Sequence, residues 1–223
     1  MQLLGDQPGW VVPALDYELG YLLEPCSAPP GWQPGNRVLA RFWRFRERIT
    51  LLAADAEVWL AGLAGEEAAG IGGLCPAIDE SRYRAAVERI KQFIYDGDCY
   101  QVNYTFPIDF SWFGSPLALY ARLRQRQPVR YGAFVLVPEA TLLSFSPELF
   151  FERHGCRVVT RPMKGTAPRG ATAEEDARNR AALLASSKER AENVMIVDLL
   201  RNDLGRLAAP GGVNVEALCA VEA

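Results

Sequence analysis

The chain has 223 residues, is 49% hydrophobic and 23% charged, and carries a net charge of −3. That balance suits a globular core and argues against a nucleic-acid footprint, which needs a basic face. No apolar run approaches the ~20 residues that span a bilayer, and Met1-Gln-Leu-Leu-Gly-Asp lacks the basic and apolar regions of a signal peptide, so the expected place is the cytoplasm with no membrane partner. Five widely spaced cysteines without a Cys-x-x-Cys predict reduced, mostly buried thiols. His154 is the only histidine; it stands beside Gly155 in a predicted turn, which makes a Ser-His-Asp or multi-histidine metal site improbable.

In chain order, Gly9–Val12 reads as a strand and Leu15–Glu24 as a short helix or turn. The Pro- and Gly-punctuated stretch 26–36 reads as a loop. Val38–Phe45, Arg48–Leu52 and Val58–Leu63 are predicted strands, and the Gly- and Ala-rich stretch 64–77 is the best linker. Tyr83, Val87, Ile90 and Ile94 recur at helical spacing and predict a helix over 79–95, with Asp79 or Ser81 as cap and Gly97 as stop. A strand is expected over Asp98–Phe106. Ser115-Pro116 opens a helix to about Arg126, and Tyr131–Val137 and Thr141–Phe145 follow as strands.

The next stretch, Ser144 to Arg169, holds two strand-like runs and two polar signals, Glu148 and Lys164, in apolar surroundings. Pairing of 149–153 with 157–160 in a hairpin through His154-Gly155 would bring Glu148 and Lys164 out at one end of the ladder. A carboxylate and an amine held there are equipped for proton transfer and nucleophilic attack, or form a surface ion pair of little energy. Glu174–Ala185 and Lys188–Leu204 read as helices, the second capped by Ser186 or Ser187 and ended by Gly205. Glu189 and Glu192 lie three residues apart, so both carboxylates share one face within reach of a hard cation. Two other readings stay open: Ser186-x-x-Glu189 is a capping-box pattern, and first-turn acids suit the helix dipole. Asp198, Arg201, Asn202 and Asp203 read as a structural polar network.

Ser146-Pro147-Glu148, Arg161-Pro162-Met163-Lys164-Gly165-Thr166 and the run ERAENVMIVDLLRNDLG from Glu189 to Gly205 resemble, in order and spacing, the chorismate-utilising enzymes. The resemblance runs from about Trp10 onward. It implies an α+β fold with antiparallel sheets flanked by helices, the front portion of a fold in which two such sheets pack around the site. Residues 1–77 would be a partial N-terminal scaffold and 78–223 the first part of the catalytic domain. Lysine in Pro-Met-Lys-Gly-Thr is the pattern of the aminodeoxychorismate synthases, whereas anthranilate synthases carry Pro-Ile-Ala-Gly-Thr.

The implied activity turns chorismate and ammonia into 4-amino-4-deoxychorismate, a step towards folate, with ammonia from a glutamine amidotransferase subunit. Lys164 would be the nucleophile and Glu148 the general acid/base. Gly165 and Thr166 would line the substrate site. Mg2+ would sit on Glu192, the match to the family's ligand, with Glu189 beside it. A free amine with a pKa near ~10.4 would have to be depressed to serve. The family's domain continues well beyond the equivalent of Val215–Val221, with further substrate and metal residues, so the resemblance implies a chain whose site is incomplete by itself. Anthranilate synthesis and a non-catalytic, partner-binding remnant are the alternatives.

Overall fold

The computed structural model describes residues 9–138 and 140–222. Two compact units emerge, Met1–Leu60 and Ala61–Ala223. In the first, β1 (Trp10–Leu15) pairs antiparallel with β2 (Ala40–Phe45), from Trp10 opposite Phe45 to Leu15 opposite Ala40. Between them lie α1 (Leu19–Leu23), a 3-10 turn at Pro25–Ser27 and a loop. Arg37 reaches Asp16 at 3.6 Å and Glu18 at 3.1 Å, fastening that loop beside α1. Among the described residues of this unit, Leu39 is the buried hydrophobic one.

The stretch Arg48–Leu52, expected as a strand, has no ladder; the Arg48 guanidinium lies over the Trp10 ring at 3.7 Å instead. Val58–Leu63, also expected as a strand, falls in the helix α2 (Ala53–Ala64). Ala53, Ala54, Ala56, Ala61 and Ala64 supply helix propensity that the isolated Val-Trp-Leu run hides.

In the second unit the stretch expected as a linker holds β3 (Gly70–Pro76), paired antiparallel with β4 (Ile108–Phe113). Glycine favours rather than prevents this pairing, because the Phe113 ring lies over Gly70, 2.9 Å from where a Cβ would stand. The α3 helix (Glu80–Tyr95) starts as expected: Asp79 Oδ1 accepts from the Arg82 N–H at 2.8 Å. Gly97, at φ 82°, turns the chain out, and the Asp98 N–H closes on the Phe93 carbonyl at 2.9 Å.

Asp98–Phe106 is not a strand. Its alternate rings pack on α3 instead, Tyr104 and Phe106 lying 6.0 and 5.9 Å from Tyr83. The strand begins only after Pro107. Ser115 Oγ caps α4 (Pro116–Arg126), accepting from the Ala118 N–H at 3.1 Å.

The core sits where α4 meets its neighbours. Ala69, Ala118 and Leu119 are buried together, with Leu123 and Leu143 packed against them. Tyr120 is buried between Phe134 and Phe145, at ring distances of 5.6 and 5.1 Å. Arg122 Nη1 donates to the Ala69 carbonyl at 2.5 Å. Those aromatic partners come from β5 (Tyr131–Val137) and β6 (Ala140–Ser146), which form a second antiparallel pair.

β7 (Leu149–His154) and β8 (Arg157–Arg161) form a third pair in this unit, and α5 (Ala173–Ala185) and α6 (Ser187–Gly205) complete it. The architecture is α+β: helices with small antiparallel sheets, each two-stranded among the described residues. Cys26, Cys75 and Cys156 are exposed, and Cys99 and Cys219 are half-buried. The expected burial of the thiols is therefore corrected, because Cys75 and Cys156 stand on or beside two-stranded ladders with no layer over them. The cysteines are free thiols, as expected.

Candidate active site

The β7–β8 hairpin builds the first wall. His154 pairs with Arg157 across Gly155 and Cys156, and Gly155 takes φ 59°, as its place at a tight hairpin turn requires. His154 is exposed, with Nε2 2.6 Å from Glu152 Oε1. At the other end Leu149 stands opposite Arg161. Residues 148 and 162 are therefore neighbours, and the Glu148 carboxylate accepts from the Met163 N–H at 2.8 Å. Ser146 Oγ donates to the Glu148 carbonyl at 3.1 Å, holding the entry to β7. Glu148 and Lys164 thus emerge at one end of the ladder.

From Pro162 to Thr172 the chain is irregular and crosses towards α5 and α6. Gly165 adopts φ 78°, a conformation that disfavours any side chain, and a Cβ there would stand 2.6 Å from Glu189 Oε2. The lysine loop and the start of α6 are in contact at this point. Ser186 Oγ caps α6, accepting from the Glu189 N–H at 3.3 Å. The reciprocal half of a capping box is missing: the Ser186 N–H bonds back to the α5 carbonyls of Ala182 and Leu183. Among the described residues, no hydrogen bond or ion pair engages the Glu189 carboxylate.

A cavity of about 570 Å³ opens between hairpin, loop and helices, within the range that takes a small organic ligand. Glu148, Lys164, Gly165, Thr166 and Glu189 all line it. Lys164 and Glu189 are half-buried, whereas Glu148 and Thr166 are exposed. Glu192 is outside the lining; its carboxylate lies 3.8 Å from Lys188 Nζ. The C-terminal segment forms a further wall through ion pairs of Glu216 with Arg157 at 2.6 Å, and of Glu222 with Arg130 at 3.0 Å. Arg201 and Asp198 form the one ion pair of the expected polar network among the described residues, at 3.4 Å.

A cluster that the sequence reading missed ties the loop to α5. Asp176 accepts from Arg169 Nε at 2.7 Å and from the Gly170 N–H at 3.0 Å. The Arg169 guanidinium, then the Gly170 N–H, holds the Asp176 carboxyl below its ordinary value, and Asp176 in turn raises Arg169. The available signal was Thr172-x-x-Glu175, a capping-box pattern at the head of this helix.

Over residues 2–223 the chain matches the family described as chorismate binding enzyme. The chain belongs to that family. It is 40% identical over 151 residues to aminodeoxychorismate synthase component 1 of Bacillus subtilis (strain 168), covering 68% of this chain and 32% of that protein. With the Klebsiella aerogenes protein of the same name it shares 39% over 145 residues, 65% of this chain and 32% of the other. Anthranilate synthase component 1 of Thermus thermophilus is 42% identical over 186 residues, 83% of this chain and 38% of that protein. The chain spans about a third of the length of these curated relatives. No helix among the described residues is long and apolar enough to cross a membrane.

Proposed function

We propose that this chain carries the lysine-bearing part of an aminodeoxychorismate synthase component 1. The reaction is chorismate plus ammonia to 4-amino-4-deoxychorismate plus water. One observation carries the reading: Lys164, within Pro162-Met163-Lys164-Gly165-Thr166, lines the same cavity as Glu148, whose carboxylate is fixed one residue away on the Met163 N–H.

In this scheme the Lys164 amine forms a bond to C2 of the ring while the C4–oxygen bond breaks, and Glu148 gives the departing hydroxyl its proton, so water leaves. Ammonia then bonds to C4 as the Lys164–C2 bond breaks, which returns the amine. Gly165 backbone and the Thr166 hydroxyl line the substrate's place. The chemistry is confined to the cytoplasm, where a glutamine amidotransferase supplies ammonia. The surrounding fold is the front portion, over 78–223, of two packed antiparallel sheets, with 1–77 as partial scaffold.

Magnesium fits the donor chemistry in part. Glu189 presents a carboxylate at the cavity wall that no hydrogen bond or ion pair among the described residues engages, whereas Glu192, one turn on, lies outside the lining and pairs with Lys188. Among the described residues no three His, Cys, Asp or Glu are placed together to hold a metal ion, so waters and a substrate carboxylate would complete the shell. Bound there, the ion would neutralise the substrate's ring carboxylate.

The anthranilate reading is favoured by the longer match to the Thermus thermophilus protein. Lys164 counts against it, because an alanine at that place cannot attack. The experiment is product analysis after incubating a complete version of the domain, carrying this chain as its front part, with chorismate, ammonium and magnesium. Aminodeoxychorismate, lost in Lys164→Ala, is expected; anthranilate, or undiminished turnover in Lys164→Ala, would overturn the reading.

A further inference from the structure

We propose that Asp176, on α5, is the positioning residue that holds the Lys164 loop in the cavity, an inference that rests on the role of Lys164 given above. Residues 162–171 belong to no helix or ladder, so something else must define their path. One anchor is the Glu148 carboxylate on the Met163 N–H. The other lies on one face of α5. Asp176 Oδ1 takes both Arg169 Nε and the Gly170 N–H, and Asn179 Nδ2 donates to the Pro168 carbonyl at 2.9 Å. Glu175 Oε2 accepts from the Ala171 N–H at 2.7 Å. Positions 175, 176 and 179 share a helical face, so three side chains grip four consecutive loop residues.

The backbone fits closely too. A Cβ on Gly170 would overlap the Asp176 backbone nitrogen and stand 2.6 Å from the Glu175 carbonyl carbon. Lys164 is therefore strung between two fixed points, one residue from the first and four from the second. A reactive side chain gains from such a support, because a group free to wander is seldom aligned.

Capping of α5 does not account for Asp176. Thr172 Oγ1 caps the helix through the Glu175 N–H at 3.2 Å, and the Asp176 N–H is satisfied by the Thr172 carbonyl at 2.9 Å. The Asp176 carboxylate is spent on the loop. It is one-third exposed and paired with a charge, so its loss should release the loop without unfolding the unit.

The chain has three lysines, Lys91, Lys164 and Lys188. Reductive methylation with 13C-formaldehyde gives each a separate NMR signal, and Lys164→Arg identifies the one that matters. In Asp176→Ala the Lys164 signal should move and narrow while that of Lys91 stays. Amide exchange over 165–171 should rise by about threefold or more, the scale of losing a partly exposed charged pair. Asp176→Asn, which keeps an acceptor for the Gly170 N–H, should fall between. Should Asp176→Ala fail to fold, Asn179→Ala removes one loop contact and reads the same two signals.

An unmoved Lys164 signal, or faster exchange confined to 173–185, would overturn the inference by making Asp176 a support of α5 alone. Neither readout needs chorismate. A clamped Lys164 in a chain that makes anthranilate would keep this inference and overturn the proposed reaction, whereas an unclamped Lys164 in a chain that makes aminodeoxychorismate would do the reverse.

Discussion

Replacing Gly165 by alanine tests the contact between the lysine loop and α6. Gly165 has φ 78°, where a side chain costs about 1–2 kcal/mol. A Cβ there would also stand 2.6 Å from Glu189 Oε2, and 3.2 Å from both Glu189 Cβ and Leu183 Cδ1. The carboxylate is a flexible end and can swing away, but the two carbons belong to helix-anchored side chains and must yield. Crowding of that kind adds at least about 1 kcal/mol.

Gly155→Ala is the control. Its φ is 59° and nothing lies within 4 Å of the added carbon, so only the backbone strain of about 1–2 kcal/mol applies. Urea unfolding of both variants gives the difference directly. Gly165→Ala should be the less stable by about 1 kcal/mol or more. Equal losses would mean that α6 does not press on the lysine loop, and the placing of Glu189 at the cavity would fail with it.

Two further outcomes follow from local structure. Ser115→Ala removes the acceptor for the Ala118 N–H at the helix that carries the core, and should lower stability by about 1 kcal/mol in the same urea assay. On acidification, Asp79 and Asp176 are among the carboxylates whose partners are lost. Backbone N–H donation from Arg82 holds the Asp79 carboxyl below its ordinary value, and the Arg169 guanidinium does the same for Asp176. Their folded-state values lie below the unfolded ones, so their contribution is complete above the unfolded aspartate pKa of about 4 and is lost as pH falls through the lower folded values. Thermal melting between pH 6 and pH 3 should show stability falling only below about pH 4, and falling less in Asp79→Asn.

The hairpin was legible because its signals are local: the apolar runs Leu149–Phe151 and Val158-Val159 either side of the His154-Gly155 turn mark two strands, and their pairing brings Glu148 and Lys164 out at one end. The caps at Asp79, Ser115 and Ser186 were legible for the same reason. What failed was whatever depends on the partner across space. Gly70 and Gly72 look like a linker until Phe113 lies over the strand, and Val102, Tyr104 and Phe106 look like a strand until Tyr83 takes up two of the rings. Glu189 and Glu192 are indistinguishable by spacing. Packing separates them, with Glu189 facing the Gly165 turn and Glu192 beside Lys188. Asp176 and Asn179 were invisible, since a polar residue in a helix declares no partner until the loop is seen beside it.

The proposed reaction turns on attack of the Lys164 amine on chorismate. Intact-protein mass spectrometry of the completed domain, incubated with chorismate and magnesium without ammonium, tests it. The expected product is an adduct of chorismate less one water, mapped to Lys164 by peptide analysis, absent in Lys164→Ala and discharged on adding ammonium. A folded chain that binds chorismate yet forms no adduct, or an adduct that persists in Lys164→Ala, would contradict it.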